Sequence, residues 1–432
     1  MLATSTTSNP LLGLAEAELS DEYDRRGLGQ IGDHRLVELA AEIVGVPRAE
    51  VPAERFSFVL HAPLELMARS ALLPYVDDAG RRRARLRIAS LAAVYQASGP
   101  PLAAPAPRDF ASLDDAATAL VDGIDLEDLD GVDTAAAWLG LRLRPDQLVA
   151  VLADHTIDRL SAAGHGNIYL QLLARNQPRG LPQQMLRHPA RQLAIRSKRR
   201  IGLPPTHLSA DQALPACLVE SLTRVPVVGP PSQPGIAAIV EHAQHHDVLS
   251  GLLDADGTFI APETQPFELL RFAAHAMLQG PLDAAAYGWT HCLTLAQAAL
   301  MVAPACTNPA QAVYVAMTYL ASHWATLGQG TLDLDGLVPD PADTDLDALL
   351  SASPQQAAAA AWHASGHGDI VTRLATSAAC AHDAHRAKYT LACLDAAAAD
   401  RASAPLYLAA GAYLNAWWVQ HPDRSDPLSD QI

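Results

Sequence analysis

Residues 353–361 read Ser-Pro-Gln-Gln-Ala-Ala-Ala-Ala-Ala, and this stretch gives the clearest indication of the fold class. Ser353 followed by Pro354 is a typical helix start, because proline fits the first helical turn, where its missing N–H is not needed. Alanine, which follows in a run, has the highest helix propensity and lets helices pack closely. We therefore expect an all-α protein.

The rest of the sequence repeats this helical character. Apolar residues recur at three- and four-residue spacings, as in Leu64, Met67, Ala68 and Leu72. Proline and glycine clusters separate the helical segments, and residues 202–235 are the most interrupted. The pattern predicts a multi-helix bundle with one all-α domain at 21–425, whose halves would be 21–205 and 235–425. A disordered leader is expected over residues 1–20 and a tail over 426–432.

The charge balance narrows the function classes. The 432 residues include 30 Lys plus Arg against 47 Asp plus Glu, a formal net charge of -17. Such a chain repels phosphate backbones and anionic lipid, so nucleic acid and membrane surfaces are not expected as partners. The five cysteines show no C-x-x-C spacing and are expected to be reduced thiols in a soluble, cytoplasmic protein. The oligomeric state is left open.

Two local motifs are open to a functional interpretation. Gly27, Gly29 and Gly32 spell G-x-G-x-x-G, but the preceding residues 21–26 are polar and cannot form the buried strand of a dinucleotide site. His242 and His246 share a helix face at an i, i+4 spacing, which could bind a metal or could equally be a solvated surface. This pair is kept as a second choice.

Four histidines lie in apolar helical surroundings, where imidazole is otherwise uncommon. The contexts are His165-Gly-Asn-Ile-Tyr-Leu, Trp-Thr-His291-Cys-Leu, His61-Ala-Pro-Leu-Glu-Leu and His382-Asp-Ala-His385-Arg-Ala-Lys388. Each of these histidines alone is better explained as a buried side chain that hydrogen-bonds to the backbone in the core. The first three contexts, however, share a position that begins or interrupts an apolar helix, and a helical bundle brings such side chains into one interior metal site.

Lysine usage adds an independent observation. The chain contains 28 arginines but only two lysines, Lys198 and Lys388. Lys388 lies in the apolar segment 387–394, where a charged ammonium is costly unless it is paired or neutralised. His385 and Lys388 are three residues apart and share a helix face. His385 shares a helix face with His382 as well as with Lys388, so it is the better ligand of the two histidines.

At these positions the sequence resembles the questin oxidase-like proteins of fungi and bacteria, which act on anthraquinones and related polyketides. The resemblance runs from about His61 to Trp418, through the histidine-led helix starts and a carboxy-terminal H-x-x-K followed by the alanine-rich segment 405–418. It implies an iron ion held by four histidines and a carbamylated lysine. The catalytic and metal-binding positions that match are His61, His165, His291, His385 and Lys388.

The resemblance implies a non-heme Fe(II) oxygenase acting with dioxygen on a polycyclic aromatic substrate. The expected outcome is cleavage of a ring C–C bond or a Baeyer–Villiger-like insertion, with the need for NADPH left open. Four neutral imidazoles and one carbamate, formed from carbon dioxide, would leave an octahedral ion one open position. Trp289, Tyr169 and Tyr389 are expected near the ligands in an apolar pocket.

Two other functions remain open at this point. His382-Asp383 suggests a metal-dependent hydrolase of the HD type, which would need further His and Asp pairs on neighbouring helices. Alternatively, the histidines could be scattered core residues of a metal-free helical protein that binds a small molecule. The metal content separates the three functions, because iron near one per chain is expected only for the oxygenase.

Overall fold

The computed structural model describes most of the chain. The described residues are 9–49, 56–103, 105, 108–160, 164–176, 186–195, 200–201, 222, 225–233, 235–248, 265–329, 332–334, 349–366, 368–422, 426 and 428.

The helices fall on both sides of the interrupted segment predicted at 202–235. Those before it are α1 (Leu19–Arg25), α2 (Asp33–Val44), α3 (Phe56–Leu72), α4 (Asp78–Ala97), α5 (Leu113–Leu126), α6 (Leu129–Gly140), α7 (Pro145–Thr156), α8 (His165–Arg175) and α9 (Arg187–Ala194). Those after it are α10 (Ile236–His245), α11 (Gln265–Gln279), α12 (Thr290–Val302), α13 (Pro309–Leu327), α14 (Pro354–His363), α15 (Gly368–Cys380), α16 (Ala384–Ala399) and α17 (Ala404–Gln420).

The all-α prediction is confirmed for the described residues. The only β-type pairings among them are two isolated bridges, Arg48 with Pro101 and Arg159 with Arg200. Ser353 caps α14 as its sequence indicates, since its side chain accepts a hydrogen bond from the Gln356 N–H. The alanines of 357–361 are buried. In the described part of the chain, no helix combines the length and apolar character that a bilayer crossing requires.

The predicted disordered leader needs a correction. Leu11 and Leu14 are buried, and the Asn9 amide donates to the backbone oxygen of Leu39, so residues 9–20 pack onto the fold. The expected leader was inferred from polar composition, but apolar side chains spaced along this segment give it a surface to bury. Residues before 9 lie outside the described residues. In the predicted tail, the Asp426 carboxylate accepts two hydrogen bonds from Arg87.

Helices from both predicted halves form one common core. Helix α3 packs against α8 and α16, and α12 packs against the same two helices, so the four form a closed ring. Two of these helices come from each half. The bundle therefore places residues of distant chain segments in one interior, as helical bundles with buried cofactor sites do.

Candidate metal centre

The four helices of the ring each contribute one histidine to a single cluster. The ring centroids of His61 and His165 lie 4.8 Å apart, and those of His165 and His291 lie 5.4 Å apart. His291 to His385 and His385 to His61 are both 5.0 Å. The four imidazoles thus form a closed quadrilateral whose sides follow the packing order α3, α8, α12 and α16. The structure brings together all four histidines that the sequence selects.

His61 occupies a different place on its helix from the one expected. Helix α3 already includes Phe56, so His61 lies inside the helix and does not begin it. Pro63 is accommodated within the same helix. Glu65, on the same helix, forms a buried ion pair with Arg69 one turn later, with Arg69 Nε 2.6 Å from Glu65 Oε1. Pairing removes the cost of burying that carboxylate.

His165 is the first residue of α8, and the residue before it fixes its position. Gly164 adopts a left-handed conformation, with φ of 72°. A Cβ atom there would lie 2.5 Å from the hydroxyl oxygen of Tyr319. Both the backbone angle and the close approach therefore require glycine. This packing holds the start of α8, and with it His165, against the neighbouring helix α13.

His291 follows a short π-helical segment, Ala285–Trp289, that leads into α12. Single π turns inside or beside α-helices are frequent at functional sites, because they rotate the residues that follow. Gly288 is packed closely enough that a Cβ would lie 2.6 Å from Leu327 Cδ1. The Nδ1 of His291 lies 2.8 Å from the backbone oxygen of Tyr287 in this segment.

His385 is held by the residue that caps its own helix. Asp383 precedes α16 and accepts a hydrogen bond from the backbone N–H of His385 at 2.7 Å. The same carboxylate oxygen lies 2.9 Å from His385 Nδ1. Burial raises the pKa of Asp383, but the hydrogen bond and charge of His385 more than offset this and bring it to about 2. The capping carboxylate is therefore ionised and orients the imidazole.

These contacts fix which nitrogen each ring presents. In His291 and His385 the Nδ1 atom is occupied, by a carbonyl and a carboxylate respectively, which leaves Nε2 as the basic nitrogen. His291 Nε2 is buried and has no hydrogen-bond partner among the described residues. Metal-binding histidines show this arrangement, with one nitrogen bonded to a carbonyl or carboxylate and the other on the ion. The chemistry of these donors therefore suits a metal ion.

The protonation state of the cluster suits metal binding as well. Burial, with Lys388 and the other histidines, lowers the pKa of His61 well below its usual value. Burial and the same kinds of neighbour lower the pKa of His291 well below the ordinary range. For His385, burial and Lys388 lower the pKa despite the opposing effect of Asp383. Neutral imidazole is the form that coordinates a metal.

The nitrogen atoms are not all gathered around one point. Within the described residues, no group of three or more His, Cys, Asp or Glu side chains has a geometry that could hold an ion as it stands. His61 Nε2 and His165 Nε2 are 3.0 Å apart, and the other two rings face them across the quadrilateral. Coordination of one ion by all four would therefore require the imidazoles to reorient.

Lys388 adjoins this cluster. It is buried on α16 three residues after His385, and its charge contributes to lowering the pKa of His61, His291 and His385. Burial lowers the pKa of Lys388 to about 8, although the carboxylates of Asp383 and Glu65 act in the opposite direction. With this pKa, about a tenth of the amine is uncharged at pH 7 and about half at pH 8.

A cavity of about 300 Å³ opens beside the cluster. Its lining includes His61, His385, Glu65, Ser90, Tyr287 and His382. The expectation of an apolar pocket with Tyr169, Trp289 and Tyr389 is wrong for this cavity, because those three side chains are buried and do not line it. Its aromatic wall is Tyr287.

Sequence reasoning missed two features of the site, the position of Tyr287 and the role of Asp383 in orienting His385. The spacing of Asp383 two residues before His385 is the signal that could have indicated the role of Asp383.

The glycine motif and the His242–His246 pair both lie outside the four-histidine cluster. The G-x-G-x-x-G glycines follow α1, a helix, where a dinucleotide site requires a strand. His242 and His246 lie at the end of α10, with ring centroids 4.5 Å apart, and α10 is not one of the four helices around the cluster. Their metal binding stays a prediction.

Comparison of the chain with family models, with curated proteins and with solved structures finds no match.

Proposed function

We propose that this protein is a non-heme iron-dependent oxygenase that acts on a polycyclic aromatic, phenolic substrate. The observation that carries the proposal is the quadrilateral of four buried imidazoles, one from each helix of a closed ring, next to a buried lysine. The questin oxidase-like resemblance of the same five positions supports it and suggests a carbon–carbon cleavage or a Baeyer–Villiger-like oxygen insertion.

The ligands proposed for Fe(II) are His61, His165, His291 and His385, with Lys388 as the fifth in its carbamylated form. The lowered pKa of Lys388 favours the uncharged amine that carbon dioxide requires. Five ligands would leave one position of an octahedron for a small molecule, whereas a structural zinc site closes at four. Iron in such a site supplies the redox chemistry that activates dioxygen.

The chain's own residues would bind and orient the substrate in the cavity next to His61 and His385. Glu65 and His382 present polar groups that can hydrogen-bond to phenolic hydroxyls. The exposed ring of Tyr287 offers an aromatic face to a planar substrate. Burial of the histidines on the other side excludes water from the inner half of the site.

The alternative of an HD-type hydrolase has less support. In that arrangement the aspartate would bind a metal directly, but here Asp383 accepts hydrogen bonds from His385 and from the Tyr287 hydroxyl. Its carboxylate therefore acts on the histidine. The third possibility, a metal-free binding protein, would leave the unpartnered His291 Nε2 without an explanation.

The test is reconstitution of the metal-free protein with Fe(II) under anaerobic conditions, followed by admission of oxygen with a hydroxylated anthraquinone. We expect about one iron per chain and oxygen consumption that depends on both iron and the quinone. Protein loaded with Zn(II) is the matched control, and it should consume none. Two metals per chain, or manganese-dependent phosphoester hydrolysis, would favour the hydrolase, and the absence of any bound metal would favour the binding protein.

A further inference from the structure

Tyr287 connects two of the histidines and also forms part of the cavity wall. It is 59% exposed, although it lies in the short π segment that leads into α12. Large exposed aromatic side chains are common enough singly, so exposure alone explains nothing. Its hydrogen bonds and its ring contacts distinguish this residue from the others.

The backbone of Tyr287 orients one histidine. Its carbonyl oxygen lies 2.8 Å from His291 Nδ1 and fixes the ring's orientation. Because the contact is made by the backbone, it depends on the π segment and does not depend on the side chain at this position. Any substitution of Tyr287 that preserves the π segment should therefore leave the contact between its carbonyl oxygen and His291 Nδ1 intact.

The side chain of Tyr287 acts on a second histidine through Asp383. Its hydroxyl donates to Asp383 Oδ2 at 3.0 Å, while Oδ1 of the same carboxylate holds His385 Nδ1 at 2.9 Å. The phenol thus fixes the plane of the carboxylate that orients the imidazole. Hydrogen bonds to an ionised carboxylate are among the stronger ones in proteins.

The ring of Tyr287 contacts His385 directly and extends toward solvent. Its centroid lies 5.1 Å from that of His385 and 5.7 Å from that of Trp418, both in edge-to-face geometry. The same ring lines the cavity beside the histidines. One side chain therefore touches whatever occupies the cavity and the hydrogen-bond chain that sets His385.

We propose that Tyr287 is a positioning and recognition residue: its hydroxyl aligns His385 through Asp383, and its ring forms the contact surface for a planar phenol in the cavity. The proposal rests on the proposed metal centre for its first part only. The second part, recognition of a planar phenol by the ring, concerns the metal-free protein and does not depend on the metal centre.

Two variants separate the hydroxyl from the ring. Tyr287→Phe removes the hydrogen bond to Asp383 but keeps the ring and the backbone carbonyl. We expect Tyr287→Phe to weaken anaerobic Fe(II) binding about tenfold, which is the lower end of the effect of removing a residue that hydrogen-bonds to a metal ligand. Binding of 2-naphthol to the metal-free protein should stay within about threefold of wild type. Tyr287→Ala should weaken Fe(II) binding by a similar factor. It should weaken the binding of 2-naphthol at least about fivefold, because the ring is lost as well. Tyr75→Phe, at another exposed tyrosine, is the control for both measurements.

A double-mutant cycle tests the route through Asp383. Asp383→Asn alone should weaken Fe(II) binding about 10- to 100-fold. If the hydroxyl acts through this carboxylate, Tyr287→Phe should cause no further loss in the Asp383→Asn background. Additive losses, or wild-type Fe(II) affinity in Tyr287→Phe, would overturn the positioning role. Wild-type naphthol affinity in Tyr287→Ala would overturn the recognition role, and failure of the wild-type protein to bind Fe(II) would instead refute the proposed metal centre.

Discussion

The Nε2 atoms of His61 and His165 lie 3.0 Å apart, on two helices that pack side by side. Two ligands bound at right angles through bonds of about 2.1 Å are separated by about 3.0 Å, so this pair has the spacing of adjacent corners of an octahedron. The same spacing also suits an N–H···N hydrogen bond between two neutral imidazoles. The spacing is therefore set before an ion arrives, and the ring that donates this hydrogen bond must move its proton away from Nε2 before both Nε2 atoms can bind the ion.

Replacing any one of the four histidines by alanine should abolish stoichiometric iron binding. Each ring supplies one of few neutral donors in the site, so its loss removes one metal–ligand bond. We expect the iron content, measured by mass spectrometry of the metal, to fall well below one per chain, while far-ultraviolet circular dichroism stays near wild type. His34→Ala, at an exposed histidine on α2, is the matched control and should retain its iron. Full iron content in any one of the four variants would remove that residue from the ligand set.

Lys388→Arg should abolish iron binding although it preserves the charge. Guanidinium stays protonated and cannot form a carbamate, so it supplies no anionic oxygen to the ion. Lys388→Ala should be rescued in part by acetate or bicarbonate, and the wild-type protein supplied with ¹³C-bicarbonate should show a carbamate carbon signal by NMR. An arginine variant with wild-type iron content and turnover would exclude the carbamate, and the four-histidine site could still stand without it.

Gly164→Ala should destabilise the fold and disturb the metal centre together. Alanine would bear the strain of a positive φ, about 1 kcal/mol, and its methyl group would also clash with the Tyr319 hydroxyl oxygen. We expect a loss of about 2–4 kcal/mol in the free energy of unfolding, measured in urea, and weaker iron binding because His165 follows directly.

Gly27→Ala provides the control for that experiment. Gly27 has φ of 67°, close to that of Gly164, but no atom lies within 4 Å of a Cβ built there. Its variant should lose only about 1 kcal/mol and keep its iron. Equal losses in the two variants would show that the contact with Tyr319 contributes little.

Acid should destabilise the metal-free protein partly through His323. This side chain is fully buried in α13, and burial lowers its pKa to about 4. Because the folded pKa lies below the usual 6.5, the unfolded chain binds the proton more readily, so the stabilisation is complete above about pH 6.5 and is lost as the pH falls toward 4. The contribution is about 3 kcal/mol.

His323→Gln should therefore flatten the dependence of the free energy of unfolding on pH between 6.5 and 4. His323 Nδ1 lies 2.7 Å from the carbonyl oxygen of Tyr319, four residues earlier. His421→Gln is a close control, since His421 Nδ1 lies 2.8 Å from the corresponding carbonyl oxygen of Trp417, but at an exposed helix end. Its variant should keep the wild-type slope. An unchanged slope in His323→Gln would contradict the burial argument for that residue.

The sequence by itself determined the class of fold and the residues worth testing. Alanine runs, proline starts and three- to four-residue periodicity are local signals, because helix hydrogen bonds and side-chain contacts connect residues within four positions of one another. Ser353 and the alanines after it could therefore be assigned correctly without tertiary information. The rarity of lysine drew attention to Lys388, whose burial follows from the apolar segment around it.

Tertiary structure alone decided how those residues meet. The packing order of α3, α8, α12 and α16 sets the distances between the four imidazoles, and no local pattern encodes the separation of side chains on different helices. Packing also gave the apolar side chains of residues 9–20 a surface to cover, which the polar composition at the start of the chain did not indicate. The part that Tyr287 plays could be inferred only from the structure, because it depends on where the ring and the hydroxyl point. That direction is set by a π turn, which sequence periodicity cannot predict.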